Sequence, residues 1–267
     1  MLQPPAPSSP PTAVSPTRAA DPAAHPCLNC HQPLAANYCA ACGQKASTHR
    51  YSFGHFLAHD LVHGLWHVDN GLLPTLRALF VRPGHRVRAY LAGQRVGFFN
   101  FLTLLLLLLA AGHFLEDFTR VKMSDLVSEN SRAAMGAMET FFEKYPKASL
   151  VLTVPVYALF SFVWFRKSGF NLTEHFVLNA YKTAGESVIV LGFSALTIFY
   201  ANVPVLSKIY GLVSLLTVVY TVVFYCQFFA QAGYRKKSLV LRSCAVPLTY
   251  TFFYALLGVV WKIASRT

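Results

Sequence analysis

Long apolar segments limit what this chain can fold into. A helix needs about 17 to 25 apolar residues to cross a bilayer, at about 1.5 Å rise per residue. The sequence predicts five such transmembrane helices, at about residues 98–115, 149–165, 187–206, 209–230 and 245–263. The first holds six consecutive leucines, Leu104–Leu109. The third carries Asn202 and Pro204 near its end, which indicates a kinked or tilted span.

The composition of the chain agrees with a membrane protein. It is 54% hydrophobic and 13% charged, whereas about a quarter of the residues are charged in soluble domains. We therefore expect an all-α integral membrane protein with about five transmembrane helices. The expected organisation is a disordered tail (1–26), a zinc-ribbon-like head (27–46), an amphipathic interfacial helical region (51–97) and a transmembrane bundle (98–267).

The N-terminal tail is rich in Pro, Ala and Ser and has no apolar run, so it cannot bury enough surface to fold. It also lacks the basic start and apolar core of a secretory signal. The N-terminus is therefore not expected to be exported.

Basic residues predict the orientation of the bundle. With the N-terminus inside, 15 Lys and Arg lie on the inner side and 8 on the outer side. The ratio is 11 to 8 when only residues near the span ends are counted. This bias favours a multi-pass protein of the inner (cytoplasmic) membrane, with a cytoplasmic N-terminus and the C-terminus outside. The net charge of +12 is then explained by topology and by anionic lipid head groups, and no nucleic acid is expected as a partner.

The stretch CLNCHQPLAANYCAACG, residues 27–43, fits two kinds of site. Its left end, Cys27-x-x-Cys30-His31, is the pattern of c-type haem attachment. Read whole, the stretch contains two C-x-x-C hooks, which are typical of a four-cysteine zinc site with the ligands Cys27, Cys30, Cys39 and Cys42. The sequence therefore poses a choice between a haem and a metal ion.

Compartment and ligand count favour one structural zinc ion per chain. Haem attachment takes place outside the inner membrane, whereas cytosolic thiols stay reduced and available for metal. A haem would also leave Cys39 and Cys42 without a role. Gly43 suits a hook that turns through positive φ, and His31, at the matching place in the first hook, belongs to a residue type enriched there. Disulfides are a third option and need an oxidising compartment.

Histidines at positions 55, 59, 63 and 67 recur every four residues and share one helix face. Because His59-Asp60-x-x-His63 resembles the H-E-x-x-H of zinc proteases, a second metal site at His59, His63 and His67, with Asp60 as general base, is one interpretation. The favoured interpretation is that these histidines form the polar face of an interfacial helix and bind nothing.

Arginines precede the first predicted span. The helix is expected to end at Arg82-Pro83-Gly84, and a second short amphipathic segment follows from about His85 to Ala92. We expect Arg82, Arg86, Arg88 and Arg95 to bind anionic head groups, at about 1 kcal/mol each.

The segment between the second and third predicted spans holds Glu174-His175 on the same inner face. The pair could meet the histidine helix in space, but Glu174 follows Asn171 at the spacing of a helix N-terminal cap, and we favour the cap. The spans carry few ionisable groups, with Glu186 at the start of the third. The sequence indicates no proton relay or ion pathway.

A combined string of motifs runs from the cysteine hooks into the first span. It consists of Cys42–Lys45, His59, His63, His67, Asp69, Gly71, Arg82–Gly84, Arg88, Tyr90, Leu91, Gly93, Arg95, Phe99 and Asn100. This string resembles a family of uncharacterised bacterial membrane proteins, domain of unknown function 3667, over roughly residues 27–110. Departures from the family pattern are His31 for glycine, Asn70 for lysine and Phe101 for proline. The resemblance implies a zinc-ribbon head on an integral membrane protein, with no established activity.

We expect a non-enzymatic scaffold, assembly or sensing factor whose zinc head presents a docking surface to a protein partner. One alternative is a membrane-embedded metalloenzyme that uses the helix with His59, His63 and His67. The other is a c-type haem redox protein that uses Cys27, Cys30 and His31.

Overall fold

The computed structural model of the protein describes residues 26–48, 50–51 and 71–264. The chain divides into two compact units, Met1–Thr48 and His49–Thr267. The predicted tail, apart from Pro26, lies outside the described residues. So does the histidine helix with His55, His59, Asp60, His63 and His67.

The described part of the chain contains eight α-helices and no strand, which confirms the all-α prediction there. The helices are α1 Leu72–Val81, α2 Pro83–Leu91, α3 Phe101–Glu116, α4 Glu129–Lys144, α5 Pro146–Trp164, α6 Leu172–Phe199, α7 Val203–Phe228 and α8 Lys236–Ala264.

Three helices are long and apolar enough to cross a membrane: α6, α7 and the Lys236–Gly258 part of α8. Helix α3 has 16 residues, which span about 24 Å, less than the roughly 30 Å of a hydrocarbon core. The apolar part of α5, Leu152–Trp164, is likewise shorter than a membrane-spanning helix. The five predicted transmembrane helices are therefore confirmed as helices, and three of them as candidate spans.

All five of these helices pack into one bundle, and they alternate in direction along the chain. Phe101, at the start of α3, contacts Tyr181 in the first half of α6, and Gly112 faces Leu191 further along both helices, so α3 and α6 run parallel. Contacts of α5 with α6 and α8, and of α7 with α6, show antiparallel neighbours.

The boundaries of the third predicted span, 187–206, are wrong. Helix α6 ends at Phe199, and Asn202 then caps α7, its side-chain oxygen accepting a hydrogen bond from the Val205 N–H at 3.2 Å. Pro204 lies in the first turn of α7, where its missing N–H leaves no hydrogen bond unmade. These two residues therefore begin a helix and do not kink one.

Helix α6 also begins fifteen residues earlier than predicted, at Leu172. Its start is a capping box, as the sequence indicated. Asn171 Oδ1 accepts from the Glu174 N–H at 2.9 Å, and Glu174 Oε2 accepts from the Asn171 N–H at 2.8 Å. Residues 172–186, expected in an inner loop, form the first four turns of α6.

The predicted break at Arg82-Pro83-Gly84 is confirmed, since α1 ends at Val81 and α2 begins at Pro83. Helix α2 then packs closely against the end of α7. A Cβ atom added at Gly84 would lie 2.2 Å from the Phe224 carbonyl oxygen and 2.4 Å from the Phe228 nitrogen. Only glycine permits this approach of the two backbones.

We expect Gly84→Ala to lower the free energy of unfolding by about 1–3 kcal/mol, the usual cost of an overpacked contact. The clash is with backbone, which cannot rotate aside. The measurement is the midpoint of thermal unfolding of the detergent-solubilised protein. Gly192→Ala in α6 is the control, because its Cβ would meet nothing within 4 Å. Equal midpoints for the two variants would contradict the close packing of α2 on α7.

Candidate functional site

The two C-x-x-C hooks fold in the same way. In the first hook, the Cys27 N–H donates to the Gln32 carbonyl (2.9 Å) and the His31 N–H to the Cys27 carbonyl (2.8 Å). In the second, the Cys39 N–H donates to Gln44 and the Gly43 N–H to Cys39, both at 2.8 Å. The second hook repeats the first at a spacing of twelve residues, so each presents its two sulfurs alike.

Both hooks turn through the left-handed region at the residue after the second cysteine. The φ angle is 61° at His31 and 74° at Gly43. Among the described residues His31 is the only non-glycine residue with a positive φ. The conformation that the sequence predicted for these two positions is therefore confirmed.

The four cysteine sulfurs converge. Cys27 Sγ lies 3.6 Å from Cys42 Sγ, Cys30 Sγ lies 3.5 Å from Cys39 Sγ, and all four atoms lie within 4.8 Å of one another. A zinc ion with Zn–S bonds of about 2.3 Å needs sulfurs about 3.8 Å apart in a tetrahedron. None of the four forms a disulfide. The donor set and its spacing therefore fit a metal ion held by four thiolates.

Backbone hydrogen bonds favour the thiolate form at two of the four cysteines, Cys39 and Cys27. The pKa of Cys39 is lowered to about 7, chiefly by a hydrogen bond from the backbone of Cys42. The pKa of Cys27 is also lowered, chiefly by the backbone of Cys30. Despite the backbone hydrogen bond from Gln32, burial and the neighbouring thiols raise the pKa of Cys30. The thiolate is the form that binds metal. Four protein ligands leave no open position on the ion, which is typical of a structural site and not of a catalytic one.

The haem alternative finds less support in this geometry. The sulfurs of Cys27 and Cys30 face those of Cys42 and Cys39, so each first-hook sulfur already has a neighbour from the second hook. The His31 side chain is exposed. The tentative second metal site at His59, His63 and His67 lies outside the described residues.

A second polar site, which the sequence did not predict, lies inside the bundle. His175, Asn179, Lys182 and Glu186 follow one another on α6 at spacings of four, three and four residues, so they share one helix face. We call these four residues the α6 polar stripe. The first three are fully buried, and the Glu186 side chain is 17% exposed. The face that carries them packs against α5 and α7.

The N-terminal half of the α6 polar stripe, His175 and Asn179, is a hydrogen-bonded chain. Ser161 of α5 lies 2.8 Å from His175 Nδ1, and Asn179 Nδ2 donates to Ser161 Oγ at 2.8 Å. The Tyr225 hydroxyl of α7 donates to Asn179 Oδ1 at 2.6 Å. The chain therefore ties three helices together. His175 Nε2 has no hydrogen-bond partner among the described residues, and the Phe229 ring stacks on the imidazole at 5.7 Å.

The C-terminal half of the α6 polar stripe, Lys182 and Glu186, is an ion pair. Lys182 Nζ lies 2.9 Å from Glu186 Oε2 and 3.1 Å from the centre of the Tyr157 ring. Thr221 of α7 donates its hydroxyl to Glu186 Oε1. The ammonium therefore has a carboxylate and an aromatic face as partners. Ionisable residues inside membrane helices are rare and mark functional or specificity-determining positions.

A second ion pair lies at the N-terminal end of α6. Arg50 Nε and Nη2 donate to Glu174 Oε1 and Oε2 at 2.5 and 2.6 Å, and Nη2 also donates to the Gly169 carbonyl at 2.6 Å. This contact raises the pKa of the Arg50 guanidinium, chiefly through the hydrogen bond to Glu174. The buried Glu174 carboxylate therefore accepts hydrogen bonds both from the Asn171 N–H of the capping box and from the Arg50 guanidinium.

The signal for the α6 polar stripe was present in the sequence as a polar period within an apolar segment. The sequence places residues 166–186 in an inner segment outside the spans, so Lys182 counts as a loop charge and Glu186 as a residue at the start of the third predicted span. The expectation of few ionisable groups was made for the predicted span 187–206, and the stripe lies in the part of α6 that precedes it.

Comparison with known proteins gives one match. No curated protein and no solved structure matches the chain. The matched segment begins just before α1 and continues through α2 into α3, and the four-cysteine cluster lies upstream of it. Over residues 69–111 the chain matches the family described as Protein of unknown function (DUF3667), which confirms the resemblance found in the sequence.

Proposed function

We propose that this is a non-enzymatic inner-membrane protein whose four-cysteine head binds one structural zinc ion and docks a protein partner. The observation that carries the proposal is the convergence of Cys27, Cys30, Cys39 and Cys42 within 4.8 Å from two hooks of the same conformation. Zinc is the metal that most often takes four thiolates in a tetrahedral site.

A docking role follows from the chemistry of the head. A four-thiolate site is closed, so the ion has no position at which to activate water or a substrate. Its contribution is to fold a short segment that has few large apolar side chains. Leu28 and Tyr38 are exposed on the head, at 41% and 60%. A rigid surface with exposed apolar side chains is suited to a protein partner.

The cytoplasmic placement of the N-terminal side is supported by basic residues at the helix ends. The end of the bundle where α6 begins carries ten Lys and Arg: Arg77, Arg82, Arg86, Arg88, Arg95, Arg166, Lys167, Arg235, Lys236 and Lys237. The segments at the opposite end, including α4 and the first turns of α5 and α7, carry six: Arg120, Lys122, Arg132, Lys144, Lys147 and Lys208. The bias has the sign of the positive-inside rule, and a reducing cytoplasm keeps the thiols available for metal.

The test is elemental analysis, together with a visible spectrum, of the purified, untagged full-length protein. We expect about one zinc per chain, the stoichiometry of a four-thiolate site, and no absorbance band. A haem band would overturn the proposal in favour of the haem alternative. It would also mean that the N-terminus lies outside the membrane and not in the cytoplasm. A second metal ion per chain would support the metalloenzyme that uses His59, His63 and His67.

A further inference from the structure

Helices α1 and α2 form an open groove of about 500 Å³. Its apolar lining is Leu73, Pro74, Ala78 and Val81, and its basic lining is Arg77, Arg82 and Arg86. Leu73 and Val81 are 76% and 64% exposed. The groove therefore combines an uncovered apolar wall with three guanidinium groups.

The three groove arginines differ from the other two arginines of this region. Arg88 donates to the Phe228 carbonyl at 2.9 Å and lies over the Phe170 ring. Arg95 lies over the Tyr51 ring at 4.1 Å. These two side chains hold the fold together. Arg77, Arg82 and Arg86 are exposed instead. Arg86 also lies over the Phe98 ring at 5.3 Å, but within the described part of the chain none of the three forms an ion pair.

The charge of the groove is not neutralised along the chain either. Residues 70–115 contain five arginines and no Asp or Glu. A groove lined by positive charge and apolar surface complements an anion that carries its own apolar part. A free phosphate or a nucleic acid would leave the apolar wall uncovered.

The position of the groove agrees with such an amphiphile. Gly84 of α2 packs on Phe224 and Phe228 at the last turn of α7, a helix long and apolar enough to span a membrane. The end of a spanning helix lies at the head-group level of the bilayer. The groove is therefore held at the depth where a lipid phosphate lies and from which its acyl chains descend.

We propose that the α1–α2 groove binds the phosphate of an anionic phospholipid between Arg77, Arg82 and Arg86, with the acyl chains against Leu73 and Val81. Arginine presents the planar donor pairs that bind phosphate oxygens. The inference rests on the membrane insertion that is part of the proposed function and is independent of the zinc head.

The experiment adds phosphatidylglycerol to full-length protein in a neutral detergent and follows bound lipid by native mass spectrometry. In the test variant, Arg77, Arg82 and Arg86 are all replaced by Gln. We expect it to lose about 100-fold in affinity, since one basic residue near an anionic surface contributes roughly a five-fold factor. The matched control replaces the same number of exposed basic residues at the same end of the bundle, Arg166, Lys167 and Arg235, by Gln. It is expected to keep most of the affinity.

Further arms separate the possible ligands. Zwitterionic phosphatidylcholine is expected to bind weakly to every variant. Inorganic phosphate that competes at concentrations comparable with the lipid would overturn the lipid as occupant and leave a simple anion site. A groove variant in which all three arginines become Lys keeps the charge but loses the planar donor pairs. It is expected to bind more tightly than the Gln variant and more weakly than the parent, which guards against a folding defect in the Gln variant.

Two results would overturn the proposal. One is undiminished phosphatidylglycerol binding by the Gln variant of the groove. The other is an equal loss in the groove variant and in the matched control, which would indicate diffuse attraction to one end of the bundle. Zinc content is measured on the same samples, so that failure of the proposed head and failure of the groove are seen separately.

Discussion

Cys39→Ser is expected to abolish metal binding by the head and to unfold residues 27–46, while the helical bundle stays folded. Structural zinc stabilises a small head by about 10–16 kcal/mol at pH 7, which is folding free energy where no apolar core exists. A serine hydroxyl is a far weaker ligand than a thiolate. Cys39 is also one of the two buried cysteines of the cluster, so water cannot easily take its place.

The measurements are zinc per chain after dialysis against a chelator, and proteolysis of the full-length protein. We expect near-zero zinc and rapid cleavage within residues 27–46, with the thermal unfolding of unit 49–267 unchanged. Cys226→Ser is the matched control, because Cys226 lies in α7 and its sulfur donates to Ser243 Oγ. A Cys39→Ser protein that retains one zinc, or a control that loses it, would contradict the four-cysteine site.

The metal site could be predicted from the sequence because its ligands are local. All four cysteines lie within sixteen residues, and each hook is closed by hydrogen bonds between residues at most five positions apart. The capping box at Asn171 and Glu174 was predictable for the same reason. Such features depend on short-range geometry, which residue types and spacing determine.

The α6 polar stripe could not be recognised in the same way, because its partners are distant in sequence. Asn179 is paired with Tyr225, and Glu186 with Thr221, which lie 46 and 35 residues away. From the sequence alone, a polar period interrupts an apolar run and shortens the predicted span. In the bundle the same residues are paired inside it, so the helix continues through them to Leu172. The roles of Arg88 and Arg95 were hidden for a similar reason, since their acceptors and aromatic partners come from other elements.

The residues of the α6 polar stripe affect the specificity of helix pairing as well as the stability of the bundle. A buried ion pair in a protein interior is often no more stable than well-packed apolar residues of the same size. Its directional contacts nevertheless define one register: Lys182 must lie at Tyr157 of α5, and Glu186 at Thr221 of α7. Apolar helices slide past one another at little cost, so we infer that the stripe specifies how α5, α6 and α7 meet.

This interpretation predicts a large loss of stability in Glu186→Leu. The variant leaves the Lys182 ammonium buried without its carboxylate, and breaking a buried pair from one side costs about 3–5 kcal/mol. Equilibrium unfolding in mixed micelles measures the change. Glu116→Gln is the control, because its pair with His113 is exposed, at 57% and 67%, and spans 3.8 Å. We expect the control to cost at most about 1 kcal/mol.

The double variant Lys182→Met/Glu186→Leu shows whether the loss of stability comes from an unpaired charge or from a change in side-chain volume. If the single loss comes from an unpaired charge, removal of both charges restores most of the stability, and the coupling energy is of the size of the single loss. Additive losses in the double variant would contradict the pairing. The double variant could be as stable as the parent and still give several cross-linking patterns between α5 and α6. That result would show that the ion pair specifies the helix register and does not add stability. A single cross-linking pattern in that variant would instead show that apolar packing alone determines the register.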